Sequence, residues 1–87
     1  MSEERLGFVG VVIEDRQSVP KVNEILSSFA AMIDGRMGVP SPSRGQAVIC
    51  LIVRSTNDQV GAMTGKLGNL SGVQVKSALV QSKSNLI

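Results

Sequence analysis

The sequence contains no histidine, no tryptophan and no tyrosine, and phenylalanine occurs only twice in 87 residues. Histidine is the commonest general base and the commonest transition-metal ligand, so its absence removes the usual chemistry of both. Aromatic side chains are the stacking platforms on which proteins hold single-stranded nucleic acid, and two phenylalanines supply almost none. The composition therefore argues against an enzyme and predicts no catalytic residue, no metal site and no cofactor.

The charge is close to balanced, because nine Lys and Arg residues stand against seven Asp and Glu residues, for a net charge of +2. The basic residues are scattered singly, which argues against direct nucleic-acid binding through a basic stripe. The longest apolar run, residues 47–53, is too short to cross a bilayer, and no signal-type apolar segment follows the N-terminus. Cys50 is the single cysteine, so no intrachain disulfide is possible. We therefore expect a cytoplasmic protein without a membrane partner.

The order of apolar patterns predicts one domain over residues 1–87, with a frayed tail at 81–87. Runs of β-branched residues predict strands, and apolar residues at helical spacing predict two helices, the second opened by a capping box from Thr56 to Gln59. The predicted strands are 6–13, 33–39, 46–54 and 73–80; the helices run from 18–20 to about 34 and from 56 to 70; the clearest loop is 40–45. This βαββαβ order is typical of the α+β ferredoxin-like fold, a four-stranded antiparallel sheet with two helices on one face.

The two central strands of such a sheet, in the order 4-1-3-2, are apolar on both faces. Two helices cover only one face, so the other face would remain apolar and open. The expected consequence is a homo-oligomer, a dimer or tetramer, formed by sheets packing face to face or by edges joining. The residues predicted for this interface are Val9, Val11, Ile13, Val48, Cys50 and Ile52.

Two further expectations come from patterns within the elements. Alternation in the second strand puts Ile33, Met37 and Val39 on one face, opposite Asp34 and Arg36. Cys50 is expected to be buried in a central strand, where its thiol would be inert.

The second helix carries Gly61, Gly65 and Gly68 at the spacing i, i+4 and i+7. Glycine destabilises a helix by about 1 kcal/mol relative to alanine, so a compensating reason is expected. Close approach to a neighbouring helix or a partner subunit is the simplest reason, and a ligand against the bare backbone is the alternative.

The charged run Glu14, Asp15 and Arg16 stands where the first strand gives way to the first helix. A loop at this point can place a ligand near free N–H groups of a helix start, which favour anions. The alternative is a solvated charged loop whose acids favour the helix dipole.

The chain resembles the family of regulators of the iron-only hydrogenase system. The resemblance spans about residues 5–81 and is carried by VIEDR at 12–16, VNEIL at 22–26, RMGVP at 36–40, GAMTGKLG at 61–68 and LSGVQVK at 70–76. It implies a ferredoxin-like, ACT-like fold that oligomerises, and a link to maturation or control of the hydrogenase. The family is also similar to the C-terminal domain of nickel-responsive repressors, but this sequence has no histidine to bind nickel and no DNA-binding arm.

Residues and resemblance together predict a ligand-sensing regulatory module without its own DNA-binding domain. Its partner would be an unidentified small-molecule effector, contacted by Glu14, Asp15 and Arg16 together with Arg36 and Gly38 on the neighbouring strand. The alternative is an assembly or adaptor protein without a small ligand. Its oligomer would engage a hydrogenase-maturation or regulatory protein.

Overall fold

A computed structural model describes residues 4–41 and 45–81. Residues 42–44 of the predicted loop and 82–87 of the predicted tail lie outside the described residues. The elements are β1 (Glu4–Ile13), α1 (Val19–Ser28), β2 (Ile33–Ser41), β3 (Gln46–Thr56), α2 (Asn57–Gly68) and β4 (Val73–Gln81), with 3₁₀ turns at Arg16–Ser18 and Ala30–Met32. The strands form one antiparallel sheet in the order β2-β3-β1-β4, and both helices lie on one side of it, as predicted.

The helices begin where the sequence provides start signals. Pro20 stands in the first turn of α1, where its missing N–H is not needed. The Thr56 hydroxyl caps α2 by accepting the Gln59 N–H at 3.2 Å, as the capping pattern predicts. The first helix is shorter than predicted, because the chain leaves helical geometry at Phe29 and continues as a 3₁₀ turn into β2.

The core lies between the helices and the inner face of the sheet. Its helical part comes from the apolar stripes of α1 and α2, which contribute Val22, Leu26, Val60, Met63 and Leu67. Burying each such side chain stabilises the fold by about 1.5–3 kcal/mol. Its sheet part is formed by every second residue of the strands: Val9, Val11, Ile13, Ile49, Leu51, Val53 and Val73.

A one-residue bulge changes the face of β2. Ile33 pairs with Val53, but Gly35 pairs with Ile52, so Asp34 is an extra residue on β2. Because side chains alternate along a strand, one extra residue sends every later side chain to the opposite face. The predicted alternation is therefore wrong beyond the bulge. Ile33 packs against the core, whereas Met37 is 66% exposed on the other side of the sheet.

The side of the sheet away from the helices carries all the large apolar side chains that the described residues expose. They face one another across the strand pairs, Phe8 opposite Ile52 and Val48 between Val12 and Val39. We call this surface the open face; its exposed members are Phe8, Met37, Val39, Val48, Ile52 and Val80.

The open face contains only half of the interface residues that the sequence predicts. Val48, Ile52 and Cys50 lie on it, and Cys50 is half-buried instead of fully buried. The assignment of Val9, Val11 and Ile13 to an oligomer interface is wrong, because these residues are at most 2% exposed under the helices. The sequence pattern separates the two faces of each strand but does not say which face of β1 the helices cover.

The glycines of α2 make no close approach to any other described part of the chain. A Cβ atom built on Gly61, Gly65 or Gly68 meets nothing within 4 Å. The predicted packing against a neighbouring helix of the same chain is therefore wrong.

The open space around Gly61 and Gly65 leaves room for a methyl group at either position. We expect Gly61→Ala and Gly65→Ala each to raise the free energy of unfolding by about 0.8–1 kcal/mol, because alanine restricts the unfolded chain without a clash in the helix. Urea unfolding followed by circular dichroism measures the change. A loss of stability would instead indicate that a partner subunit packs against this face of α2.

Candidate functional site

Two adjoining cavities form a groove between the start of α1 and the β2–β3 end of the sheet. One cavity is about 470 Å³ and the other about 230 Å³. They share four apolar lining residues: Ile13, Val19, Pro40 and Ala47. We call the combined space the α1–β2 groove.

Two guanidinium groups line the α1–β2 groove. Arg16, in the 3₁₀ turn before α1, lines the larger cavity, and Arg36 of β2 lines the smaller one. The bulge directs Arg36 to the helix side of the sheet, where its Nη2 donates to Asn23 Oδ1 of α1 at 2.7 Å. Among the described residues, the ion pairs are made by Arg54, so no described carboxylate neutralises either groove arginine.

Three of the five predicted ligand contacts thus line one groove: Arg16, Arg36 and Gly38. The other two have local structural partners. Glu14 accepts from the Gln74 side chain at 2.9 Å and from the Gln46 side chain at 3.4 Å, on the strands flanking β1.

Asp15 stabilises the turn into α1. Its carboxylate accepts the Gln17 N–H at 3.0 Å and so caps the 3₁₀ turn. Its backbone packs against Gly72, which has φ +66°, and a Cβ at position 72 would lie 2.6 Å from that of Asp15. The nearby Ser18 hydroxyl donates to the Ser71 carbonyl at 2.6 Å and ties the same two connections together.

The sequence interpretation missed the apolar part of the groove and the residue that holds Arg36. In the sequence Pro20 indicates a helix start and Pro40 indicates a loop, and each also lines the larger cavity. Asn23 carries no signal of its own. Its role follows from the bulge, which decides that Arg36 faces α1.

Both ends of the open face carry polar groups that find partners within the chain. At one end Glu14 is held by two glutamine amides. At the other end Arg54 pairs with Asp34 at 3.2 Å and Glu4 at 3.8 Å. Between these two internally compensated ends the open face is mainly apolar, and the exposed Lys76 of the edge strand β4 also lies on it, opposite Gly10.

The described residues contain neither a membrane-spanning helix nor a cluster of metal ligands. None of the helices in residues 4–41 and 45–81 has the length and hydropathy needed to span a membrane. In the same residues, no three His, Cys, Asp or Glu side chains gather where they could hold a metal ion.

The strand order and the two helices on one side define a ferredoxin-like domain of the kind found in PII-like proteins. The apo form of CPII from Thiomonas intermedia K12, a nitrogen regulatory PII-like protein, has the same fold. Its TM-score is 0.55, with 13% sequence identity over 94% of this chain and 97% of that one.

The chain belongs to the TM1266-like family, described as iron-only hydrogenase system regulators, whose family model matches residues 5–77. The uncharacterized protein TM1266 from Thermotoga maritima is 39% identical, with a TM-score of 0.85 over 91% of this chain and 100% of that one. Among curated proteins none matches the chain. The resemblance stated from the sequence is thus confirmed.

Proposed function

We propose that this chain is a non-enzymatic regulatory module of the iron-only hydrogenase system, which binds a small effector in the α1–β2 groove and works as a homo-oligomer. The observation that carries the proposal is the groove itself. It brings Arg16, Arg36 and Gly38 together from two segments that are separate in the sequence. The family description supports the regulatory role.

The chemistry of the lining supports binding without conversion. The described residues that line the two cavities include no carboxylate, thiol or lysine side chain. Arginine stays protonated at any physiological pH and is therefore a poor proton-transfer group. Such a site has the means to hold a ligand and lacks the common nucleophiles and general bases.

The open face supports association with a second copy. With strand spacings of about 4.8 Å and a rise of about 3.3 Å per residue, four strands of about nine residues cover on the order of 600 Å². A face-to-face pair would bury on the order of 1,200 Å² in total, the lower end of stable interfaces. The polar ends are compensated within the chain, and Lys76 lies on the edge strand β4, so the central part of the face fits an apolar surface like itself better than an oppositely charged one.

Native mass spectrometry of the protein purified from its source organism tests both parts of the proposal, with a denatured sample giving the chain mass. We expect an oligomer that carries additional non-covalent mass. An Arg16→Gln/Arg36→Gln variant prepared in the same way should form the same oligomer without the added mass, because the groove has lost its cations.

A thermal-shift assay with the low-molecular-mass fraction of a cell extract provides the second measurement. A ligand that binds only the folded state raises the unfolding temperature, and the rise grows with the logarithm of one plus the ratio of the ligand concentration to Kd. An oligomer with no added mass and no thermal shift would contradict the effector and favour the adaptor function. A monomer would contradict the homo-oligomer and leave the open face for a different protein.

A further inference from the structure

From the lining of the α1–β2 groove we infer that the effector is a small organic anion, with an apolar or flat body and a carboxylate or phosphate group. The inference rests on the proposed function and names the chemical class of the ligand. Two features of the groove carry it, an apolar floor and two guanidinium groups without a described acidic partner.

The floor of the groove suits the body of such a ligand. Ile13 and Val19 form its inner part, and Pro20 and Pro40 line its rim. The larger cavity, about 470 Å³, lies within the range of about 300–1,000 Å³ that is common for small-molecule sites. Removal of apolar surface from water would supply binding energy without directional demands.

The two arginines suit the charged group. A guanidinium has five N–H donors, and the described partner of Arg36 is Asn23, bonded through Nη2. That bond fixes the position of the group and leaves donors to grip an anion bidentately. Asn23 is uncharged, so it orients Arg36 without cancelling its charge. Arg16 adds a second positive charge in the adjoining cavity.

The arrangement also discriminates against other ligands. A cation would meet two like charges with no described carboxylate to offset them. A neutral apolar molecule would contact the floor but gain nothing from either arginine. Inorganic phosphate would contact the arginines but leave the floor in water. An organic anion is the class that uses both features.

Phenyl phosphate is a suitable probe because it joins an apolar ring to a phosphate. Benzyl alcohol serves as the neutral ring, and inorganic phosphate as the anion without a ring. Benzoate tests whether a carboxylate replaces the phosphate. Two-dimensional ¹H–¹⁵N spectra of the labelled protein report binding at the amides of Arg16, Val19, Gly38 and Ala47. For a probe this small we expect a dissociation constant on the order of a few millimolar.

The expected result is saturable shifts of these amides with phenyl phosphate, and at least fivefold weaker binding of benzyl alcohol and of inorganic phosphate. Arg16→Gln and Arg36→Gln should each weaken phenyl phosphate at least fivefold. Lys76→Gln removes the same charge from β4, away from the groove, and should leave the affinity unchanged. The same spectra show directly that each variant is folded.

Two other results would each contradict one part of the inference. If benzyl alcohol bound as tightly as phenyl phosphate, the ligand would not need an anionic group, although the groove would still bind small molecules. If inorganic phosphate bound as tightly as phenyl phosphate, the ligand would not need an apolar body. If none of the probes shifts the groove amides at millimolar concentration, the groove is not the effector site and the proposed function fails with it.

Discussion

Replacement of one apolar side chain on the open face, Ile52→Asp, is expected to convert the proposed homo-oligomer into a folded monomer. Ile52 stands on the central strand β3, is 45% exposed, and points away from the core. In the monomer the introduced carboxylate would remain in water. In a face-to-face pair it would be buried without a partner, once from each subunit, and each buried charge costs several kcal/mol. We expect the dissociation constant to rise at least a hundredfold, about 2.8 kcal/mol.

Sedimentation velocity over a range of protein concentrations measures this change. Asn57→Asp is the matched control, because it adds the same charge at the exposed start of α2, on the helix side of the sheet. Cys50 provides an independent readout. Its thiol lies on the open face, so it should react with a maleimide slowly in the oligomer and rapidly in the Ile52→Asp monomer. An unchanged oligomer would show that the subunits associate through another surface.

The second large effect is expected within the sheet, where Gly7→Ala should lower the free energy of unfolding by about 3 kcal/mol. Gly7 pairs with Leu79 of β4. A Cβ at this position would overlap the Ala78 carbonyl oxygen and lie 2.8 Å from the Leu79 Cα, and both are backbone atoms. Side-chain rotation cannot relieve such contacts, so the β1–β4 pairing itself must shift.

Gly10→Ala is the control for this substitution. Gly10 lies on the same strand and also pairs with a residue of β4, Lys76. A Cβ at position 10 would come no closer than 3.9 Å to another atom, the Lys76 carbonyl oxygen. We expect its free energy of unfolding, measured in urea, to stay within about 0.5 kcal/mol of the parent. Both variants are best measured in the Ile52→Asp background, so that association does not contribute to stability. Equal midpoints for the two would contradict the close approach of β4 at Gly7.

Much of the fold could be predicted because it depends on local patterns. The βαββαβ order and the Thr56 cap of α2 follow from apolar periodicity and a capping residue, and the strand order follows from the fold class that this order of elements indicates. The groove was partly predictable for a similar reason, because the charged run at the junction of β1 and the first helix includes Arg16, which lines it.

The errors arose where tertiary structure decides between equivalent local patterns. Both faces of β1 are apolar, so periodicity cannot tell that Val9 is buried and Phe8 is half exposed. The sequence also gives no local signal for the intrachain partners of Glu14 and Asp15. Gln74 lies 60 residues from Glu14 along the chain, and Gly72 lies 57 residues from Asp15. For Gly61 and Gly65 the sequence predicts close approach to a neighbouring helix or a partner subunit. The described residues provide no such approach within the chain, and packing against a partner subunit stays a prediction.

The bulge at Asp34 couples the chemistry of two surfaces. Downstream of it, Met37 and Val39 belong to the open face while Arg36 and Gly38 line the groove. If Asp34 paired regularly with β3 instead of bulging out, every later residue of β2 would move one position along β3 and the two sets would exchange faces. Apolar side chains would then enter the groove, and a guanidinium would enter the open face. Point substitutions alter one surface at a time, whereas this one backbone irregularity sets the composition of both.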